Sequence, residues 1–139
     1  MTMHLKRVLP PDFPALQRFY KQAGYKGKAS TRDENWVLVD DNEVICAAAR
    51  IVLQANERIL RGVWVTADVQ HQGIGSALLR QLSDGGHLAQ CYTFPYQHLV
   101  SFYQRAGFAE VAATPHLMPL LQRYNRDGQK VALMRYMGS

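Results

Sequence analysis

The sequence predicts an α/β fold in which helices flank a mixed central sheet of about six or seven strands. Short runs rich in β-branched and aromatic residues alternate along the chain with segments whose apolar residues recur at helical spacing. No linker or low-complexity stretch interrupts the 139 residues, of which 47% are hydrophobic. We therefore predict one domain that spans residues 1–139.

Each predicted element depends on a local pattern of residues. Gly24 and the Gly85-Gly86 pair are expected to end helices, and Asp40-Asp41-Asn42 is expected to form a turn between two strands. In chain order the prediction is a strand at 5–9, a helix at 13–23, strands at 36–39, 44–53 and 60–66, a helix from 74 to the glycine pair, a strand at 88–94, a helix through 99–106, a strand at 108–111, a short helix at 119–124 and a strand at 130–136.

The most informative segment joins an apolar strand to an apolar-striped helix. It reads Gln70-His71-Gln72-Gly73-Ile74-Gly75. Glycines at such a junction allow a tight turn and leave amide groups uncovered, so that several N–H donors converge on an anion at the positive end of the helix. A dinucleotide fingerprint would need a third glycine where this chain has Leu78, and a P-loop would need Gly-Lys-Ser/Thr after four intervening residues. The junction therefore predicts a different kind of pyrophosphate site.

A second motif follows in residues 99–108, Leu-Val-Ser-Phe-Tyr-Gln-Arg-Ala-Gly-Phe. It predicts a helix that carries Tyr103 and ends at Gly107. The two motifs, in this order, resemble the signatures of the GNAT acetyltransferase superfamily: (Gln/Arg)-x-x-Gly-x-(Gly/Ala) after a strand ending in Val-x-x-(Asp/Glu), and then a Tyr helix ending in Gly-Phe. The lead-in here is Val65-Thr66-Ala67-Asp68. The resemblance covers residues 35–108 clearly and the remainder more loosely.

The resemblance implies a single-domain GNAT-like fold whose strands splay apart at a site for acetyl-CoA, the cosubstrate. Backbone amides near Gly73 and Gly75 would hold the pyrophosphate, because a side chain there would collide with it. Val63 and Val65 would pair with the pantetheine arm, and the Val65 amide would polarise the thioester carbonyl. Arg105 would reach the 3′-phosphate, although a solvated charged face explains it equally well. The implied cofactor-binding residues are Val63, Val65, Gln70, His71, Gln72, Gly73, Ile74, Gly75, Ser76 and Arg105.

The resemblance also implies transfer of an acetyl group to a primary amine by direct attack in a ternary complex. The implied catalytic residues are Tyr103 and Val65. Tyr103 matches the general acid that protonates the departing thiolate, since a phenol with a pKa of about 10 is protonated at neutral pH. The alternative is that Tyr103 is an aromatic residue on the core face of its helix.

Two departures from the family pattern favour a second hypothesis. Tyr96 stands where many members have Asn, and the motif strand lacks the Glu that serves some members as general base. Both features favour a catalytically silent acetyl-CoA sensor or regulatory module, which needs neither an amine site nor a base. The general base remains unassigned.

The acceptor is not identified by the sequence. Residues 25–34 leave room for at most a very short second helix, so an open site for a small-molecule amine or a peptide amine is expected. The formal net charge of +5 favours an acidic acceptor, although a solvated run of charges is the simpler interpretation. A nucleic-acid-binding module is disfavoured because no aromatic platform or binding motif accompanies the basic residues. A homodimer stays open.

The cysteines and histidines predict no metal site. Cys46 and Cys91 lie in apolar runs and are expected to be reduced core residues, with a nucleophilic Cys91 as the alternative. The five histidines lack metal-ligand spacing. Arg50 interrupts the longest apolar run and the N-terminus lacks a signal-peptide core, so we expect a cytoplasmic protein without a membrane association.

Overall fold

The chain folds around a seven-stranded sheet with helices on both faces. The computed structural model describes residues 2–66, 73–126, 128 and 130–138. The elements within these residues are β1 (His4–Arg7), a 3-10 turn (Pro10–Asp12), α1 (Phe13–Ala23), β2 (Glu34–Val39), β3 (Ile45–Gln54), β4 (Glu57–Val65), α2 (Ile74–Asp84), β5 (Cys91–Thr93), a 3-10 turn (Gln97–Leu99), α3 (Val100–Arg105), β6 (Phe108–Glu110), α4 (Met118–Asn125) and β7 (Met134–Tyr136).

The strand order is β1-β2-β3-β4-β5-β7-β6. Only β4 and β5 pair in parallel, and the other neighbours are antiparallel. The mixed α/β sheet expected from the sequence is therefore confirmed. Within the described residues, no helix has the length and apolar character that a membrane crossing requires.

Two strands are shorter than the apolar pattern predicts. β5 occupies three residues of the expected 88–94, and β7 occupies three of the expected 130–136. Pro95 has no amide hydrogen to donate to a neighbouring strand. Instead, its carbonyl accepts from the Ala132 amide at 2.9 Å, and the Gln97 amide donates to the Lys130 carbonyl at 3.1 Å. These two short stretches pair with each other beyond the ends of both strands.

The two faces of the sheet carry separate apolar cores. The face covered by α2 and α3 buries the stripe Leu78, Leu79 and Leu82, each fully inaccessible to solvent. The opposite face is covered by α1, through residues such as Leu16, and by α4, through residues such as Leu120. Each such side chain contributes roughly 1.5–3 kcal/mol by leaving water. The helices are thereby held against defined stretches of β3 and β4.

A bulge in β4 decides which of its side chains face which core. The register with β3 shifts between the pairs Ala48↔Trp64 and Arg50↔Arg61, and Gly62 at that point has φ of +62°. The left-handed conformation is readily available only to glycine. Beyond the bulge, Val63 and Val65 pack toward α2 and α3, whereas Trp64 packs toward α1. The bulge thus sets the side-chain alternation at the strand's C-terminal end.

Candidate active site

β4 and β5 separate in the middle of the sheet. Their parallel pairing ends at Leu60↔Thr93, where the Thr93 hydroxyl donates to the Leu60 carbonyl at 3.0 Å. β4 continues to Val65, while the chain after Thr93 turns to pair with residues 130–132. The splayed strands expected from the sequence are therefore present, and a gap opens beside the second half of β4.

The backbone of β4 is directed into this gap at alternate residues. The Thr66 amide donates to the Cys46 carbonyl at 2.9 Å, on the β3 side. Successive residues of a strand direct their backbone groups to opposite edges. The register therefore directs the backbone groups of Val65 and Val63 to the edge that β5 has left. This orientation is the one that the predicted pantetheine pairing requires, and the pairing itself stays a prediction.

A cleft of about 550 Å³ passes through the gap between the strands. Its lining includes Val63 and Tyr103 from the side of α2 and α3. Arg61, Trp64 and Tyr124 line it from the side of α1 and α4. The lining of the cleft therefore combines side chains from both faces of the sheet.

Tyr103 is a buried residue of α3 that also lines the cleft. Its side chain is 7% exposed, and its ring makes edge-to-face contacts with Phe102 and Phe108 at centroid distances of 5.1 and 5.7 Å. Burial raises the pKa of the Tyr103 phenol well above its usual value, and the neighbouring Thr93 side chain opposes part of this rise. The phenol is therefore protonated at neutral pH. Its ring belongs to the core, as the alternative interpretation requires, and its position at the cleft is compatible with an acid.

Gly73 and Gly75, the two glycines of the motif, are required for different structural reasons. Gly73 precedes α2 with φ of +76°, and an added Cβ would meet nothing within 4 Å. At Gly75 an added Cβ would lie 3.2 Å from Cζ of Phe102 and 3.5 Å from Cγ2 of Val65. Gly75 thus allows α3 and β4 to pack closely against α2, while Gly73 leaves open space beside the start of α2. The first amides of a helix have no acceptor within it and favour an anion.

The remaining predicted cofactor residues divide into three groups. Ile74 is buried in the core, so only its backbone is available to a ligand, whereas Ser76 is exposed. Arg105 is exposed at the end of α3. Gln70, His71 and Gln72 lie outside the described residues, as does Asp68, so their contacts with the cofactor stay predictions.

The sequence matches the family model described as an acetyltransferase (GNAT) domain over residues 31–110, more than half of the chain. The chain belongs to the GNAT acetyltransferase family. No curated protein sequence matches this GNAT chain significantly. The resemblance proposed from the two motifs is therefore confirmed at the level of the family.

Solved structures share the fold of this GNAT chain at low sequence identity. The ribosomal-protein-S18-alanine N-acetyltransferase of Escherichia coli has 18% identity and a TM-score of 0.68, with 99% of this chain and 96% of that chain covered. Rv2747 of Mycobacterium tuberculosis, in complex with CoA, has 17% identity, a TM-score of 0.66 and coverages of 96% and 99%. A GNAT acetyltransferase of Staphylococcus aureus has 15% identity, a TM-score of 0.64 and coverages of 96% and 98%.

The cysteines of this GNAT protein are core residues. Cys46 and Cys91 are free and buried, with Cys91 fully inaccessible to solvent. Burial raises the pKa of the Cys91 thiol to about 11. A thiol is nucleophilic as the thiolate, which this environment disfavours. The core interpretation is confirmed, and the nucleophilic alternative for Cys91 is not supported. Among the described residues no group of three or more His, Cys, Asp or Glu could hold a metal ion.

Buried polar side chains beside the cleft form hydrogen bonds that the sequence did not predict. The Arg50 guanidinium donates through Nε to Oδ2 of Asp33 at 3.0 Å and through Nη1 to the Tyr25 hydroxyl at 2.8 Å. The Tyr20 hydroxyl donates to the Gly62 carbonyl at 2.7 Å. The Arg50 bonds tie the loop between α1 and β2 to β3, and the Tyr20 bond ties α1 to the bulge. Two signals were available: a glycine inside a strand, and an arginine inside an apolar run that must find a partner.

The described residues of the cleft include no carboxylate and no imidazole. Its titratable side chains there are Tyr25, Lys26, Arg61, Tyr96, Tyr103 and Tyr124. Tyr96, which replaces the family's Asn, is 46% exposed and stacks on His98 at 5.8 Å. The lining therefore identifies a candidate proton donor but no general base.

Proposed function

We propose that this GNAT protein is an N-acetyltransferase that moves an acetyl group from acetyl-CoA to a primary amine by direct attack in a ternary complex. The observation that carries this proposal is the cleft at the β4–β5 gap, lined by Tyr103 and by side chains from both faces of the sheet. Two substrates held together in this cleft can react without a covalent enzyme intermediate. The burial of Cys91 agrees, since no accessible thiol is present to carry the acetyl group.

The residues at the start of α2 fit an acetyl-CoA pyrophosphate. Gly73 leaves open space where a side chain would stand, and Ser76 is exposed. We assign the pyrophosphate to backbone amides from about Gln72 to Ser76, and Gln70 and His71 stay predicted cofactor-binding residues. The backbone at Val63 would pair with the pantetheine arm, and Arg105 would approach the 3′-phosphate. Bound acetyl-CoA supplies an acetyl group activated as a thioester.

Tyr103 is the proposed general acid. As the amine nitrogen forms its bond to the acetyl carbon, the carbon–sulfur bond breaks and the phenol donates its proton to the departing sulfur. The amine gives up its own proton to water, because the described lining contains no carboxylate or imidazole base. Solvent then restores the proton of the phenol. The raised pKa of Tyr103 keeps the phenol protonated at neutral pH, so that the proton is available for transfer.

The first test of the proposal is acetyl-CoA binding. A ligand that binds only the folded state stabilises it by about 2.7 kcal/mol at a hundredfold excess over its Kd, which raises Tm by several degrees. Dephospho-CoA and acetate are the matched controls for the phosphate and acetyl parts. If millimolar acetyl-CoA left both the melting curve and the backbone amide NMR spectrum unchanged, the proposed cofactor site would be wrong.

The second test is turnover, followed as thiol release across diamines, amino sugars, amino acids and peptides with free amino termini. A catalytically silent acetyl-CoA sensor is the alternative function. It is favoured by the lack of a base in the described lining and by the exposed Tyr96 in place of Asn. Tight acetyl-CoA binding without thiol release from any amine would support the sensor over the enzyme.

A further inference from the structure

The part of the cleft on the α1 and α4 side of the sheet, where the amine acceptor would bind, is positively charged. Lys26 and Arg61 line it, and the described lining residues include no acidic side chain to balance them. The loop that carries Lys26, residues 24–33, contains one acidic residue, Asp33. Its carboxylate is already paired with Arg50, and the two side chains are only 11% and 9% exposed. The charge that an acceptor meets is therefore that of the two cations.

Arg61 lies over an aromatic ring and has no described carboxylate as a partner. Its guanidinium carbon lies 5.2 Å from the ring centroid of Tyr124, and that ring packs on Phe94 at 5.0 Å. No described carboxylate lies within 4 Å of the guanidinium. An aromatic ring stabilises a guanidinium cation that lies over it, and the planar fork of N–H groups on an arginine can bind both oxygens of a carboxylate.

Aromatic rings line the same cleft as the two cations. Tyr25 and Trp64 pack together at 5.6 Å between ring centroids, and Phe94 and Tyr124 form a second such pair. Both pairs line the cleft. Rings of this kind favour an apolar or aromatic group on the acceptor. They also attract cations, but an acceptor with a second positive charge would be repelled by Lys26 and Arg61 without a compensating acid.

We propose that the acceptor is a small primary amine that also carries a carboxylate and an aromatic or bulky apolar group, which is the chemistry of an aromatic amino acid. The inference depends on the proposed acetyl transfer for its reaction, but the anion site itself does not. Arg61 binds the carboxylate, Lys26 adds attraction at the entrance, and the rings hold the apolar group. The amine nitrogen is then left to face the gap between the strands.

The test compares L-phenylalanine with 2-phenylethylamine, which has the same ring and amine but no carboxylate. A charge-assisted pair with Arg61 should raise kcat/KM for phenylalanine about tenfold or more over 2-phenylethylamine. Putrescine, with its second positive charge, should be the poorest of the three. Equal or better use of 2-phenylethylamine or putrescine would overturn the proposal.

Variants test the residues that the proposal names. Arg61→Gln should bring the phenylalanine preference close to one, Arg61→Lys should retain part of it, and Lys26→Gln, in an exposed loop, should reduce it less. Arg123→Gln is the matched control, because Arg123 is exposed on the same helix as Tyr124 and does not line the cleft. A preference that Arg61→Gln leaves unchanged would overturn the role of Arg61.

A binding measurement separates this inference from the proposed function. With CoA present, calorimetry should detect N-acetyl-L-phenylalanine binding, weakened about tenfold or more by Arg61→Gln. If that result came with no turnover of any amine, the enzyme proposal would fail and the anion site would stand. If amines were turned over but the acetylated amino acid did not bind better than N-(2-phenylethyl)acetamide, the anion site would fail and the enzyme proposal would stand.

Discussion

Removal of one oxygen atom from Tyr103 separates its structural role from its catalytic one. The ring of a Phe variant keeps the edge-to-face contacts with Phe102 and Phe108. Only the hydroxyl group beside Thr93 is lost, and one hydrogen bond contributes about 0.5–1.5 kcal/mol to stability. General acid catalysis contributes about 10²–10⁴-fold to rate, or roughly 2.7–5.5 kcal/mol. Tyr103→Phe should therefore lower kcat at least about tenfold while stability falls by no more than about 1.5 kcal/mol.

The assay follows thiol release at saturating acetyl-CoA with the best acceptor amine, together with the Kd for acetyl-CoA and the free energy of unfolding in urea. Tyr136→Phe is the matched control. The Tyr136 hydroxyl is bonded to the Ser83 hydroxyl on the α2 side of the sheet, and Tyr136 does not line the cleft. The control loses the same atom and should keep the wild-type kcat and the wild-type affinity for acetyl-CoA.

A Tyr103→Phe variant that turned over at the wild-type rate would refute the reasoning, and water would then be the proton donor to the thiolate. The pH profile gives a second check. Because burial raises the pKa of Tyr103 above its usual value near 10, the proton stays on the phenol as the pH rises from 7 to about 10. A fall in kcat within that range that disappeared in Tyr103→Phe would contradict this assignment.

Three further predictions concern the cofactor site, the buried ion pair and alkaline stability. Gly73→Val should sharply weaken acetyl-CoA binding in calorimetry. Gly86→Val is the control, because Gly86 has φ of +77° and equally open surroundings; it should lose a similar amount of stability, about 1–3 kcal/mol, and keep the wild-type affinity for acetyl-CoA. Equal affinities in both variants would make Gly73 a turn residue only. Arg50→Met should lower the free energy of unfolding in urea by about 3–5 kcal/mol, because it leaves the buried Asp33 carboxylate without its ion-pair partner. A loss below about 1 kcal/mol would show that this carboxylate reaches water. Burial raises the pKa of both Tyr20 and Tyr103, so the folded state keeps these protons at a pH at which the unfolded state has lost them. The free energy of unfolding should therefore be constant in this respect below about pH 10 and fall above it by up to about 1.4 kcal/mol per pH unit for each tyrosine. Urea midpoints that stayed constant from pH 9 to pH 11.5 would contradict the last prediction.

The sequence by itself determined the elements whose causes are local. α1 begins and ends as predicted because its apolar stripe and the glycine that follows it lie within a few turns of each other. α2 likewise begins after Gly73 as predicted, and the helix that carries Tyr103, Val100–Arg105, lies within the predicted 99–106. Two short motifs were sufficient to identify the family, because a glycine turn and a helix end depend on neighbouring residues. The roles of the individual site residues remain predictions.

Only the tertiary structure decided how these elements form a cleft. The bulge at Gly62 depends on the register between β3 and β4, and the gap beyond Thr93 depends on residues 95–97 pairing with a segment more than thirty residues away. Both changes altered the local pattern: the bulge reversed the alternation after Arg61, and the new pairing shortened β5. No local window contains Arg61 together with Tyr124, or Arg50 together with Asp33 and Tyr25. The charge and shape of the acceptor site therefore arise from long-range pairing, which periodicity and spacing along a single sequence do not encode.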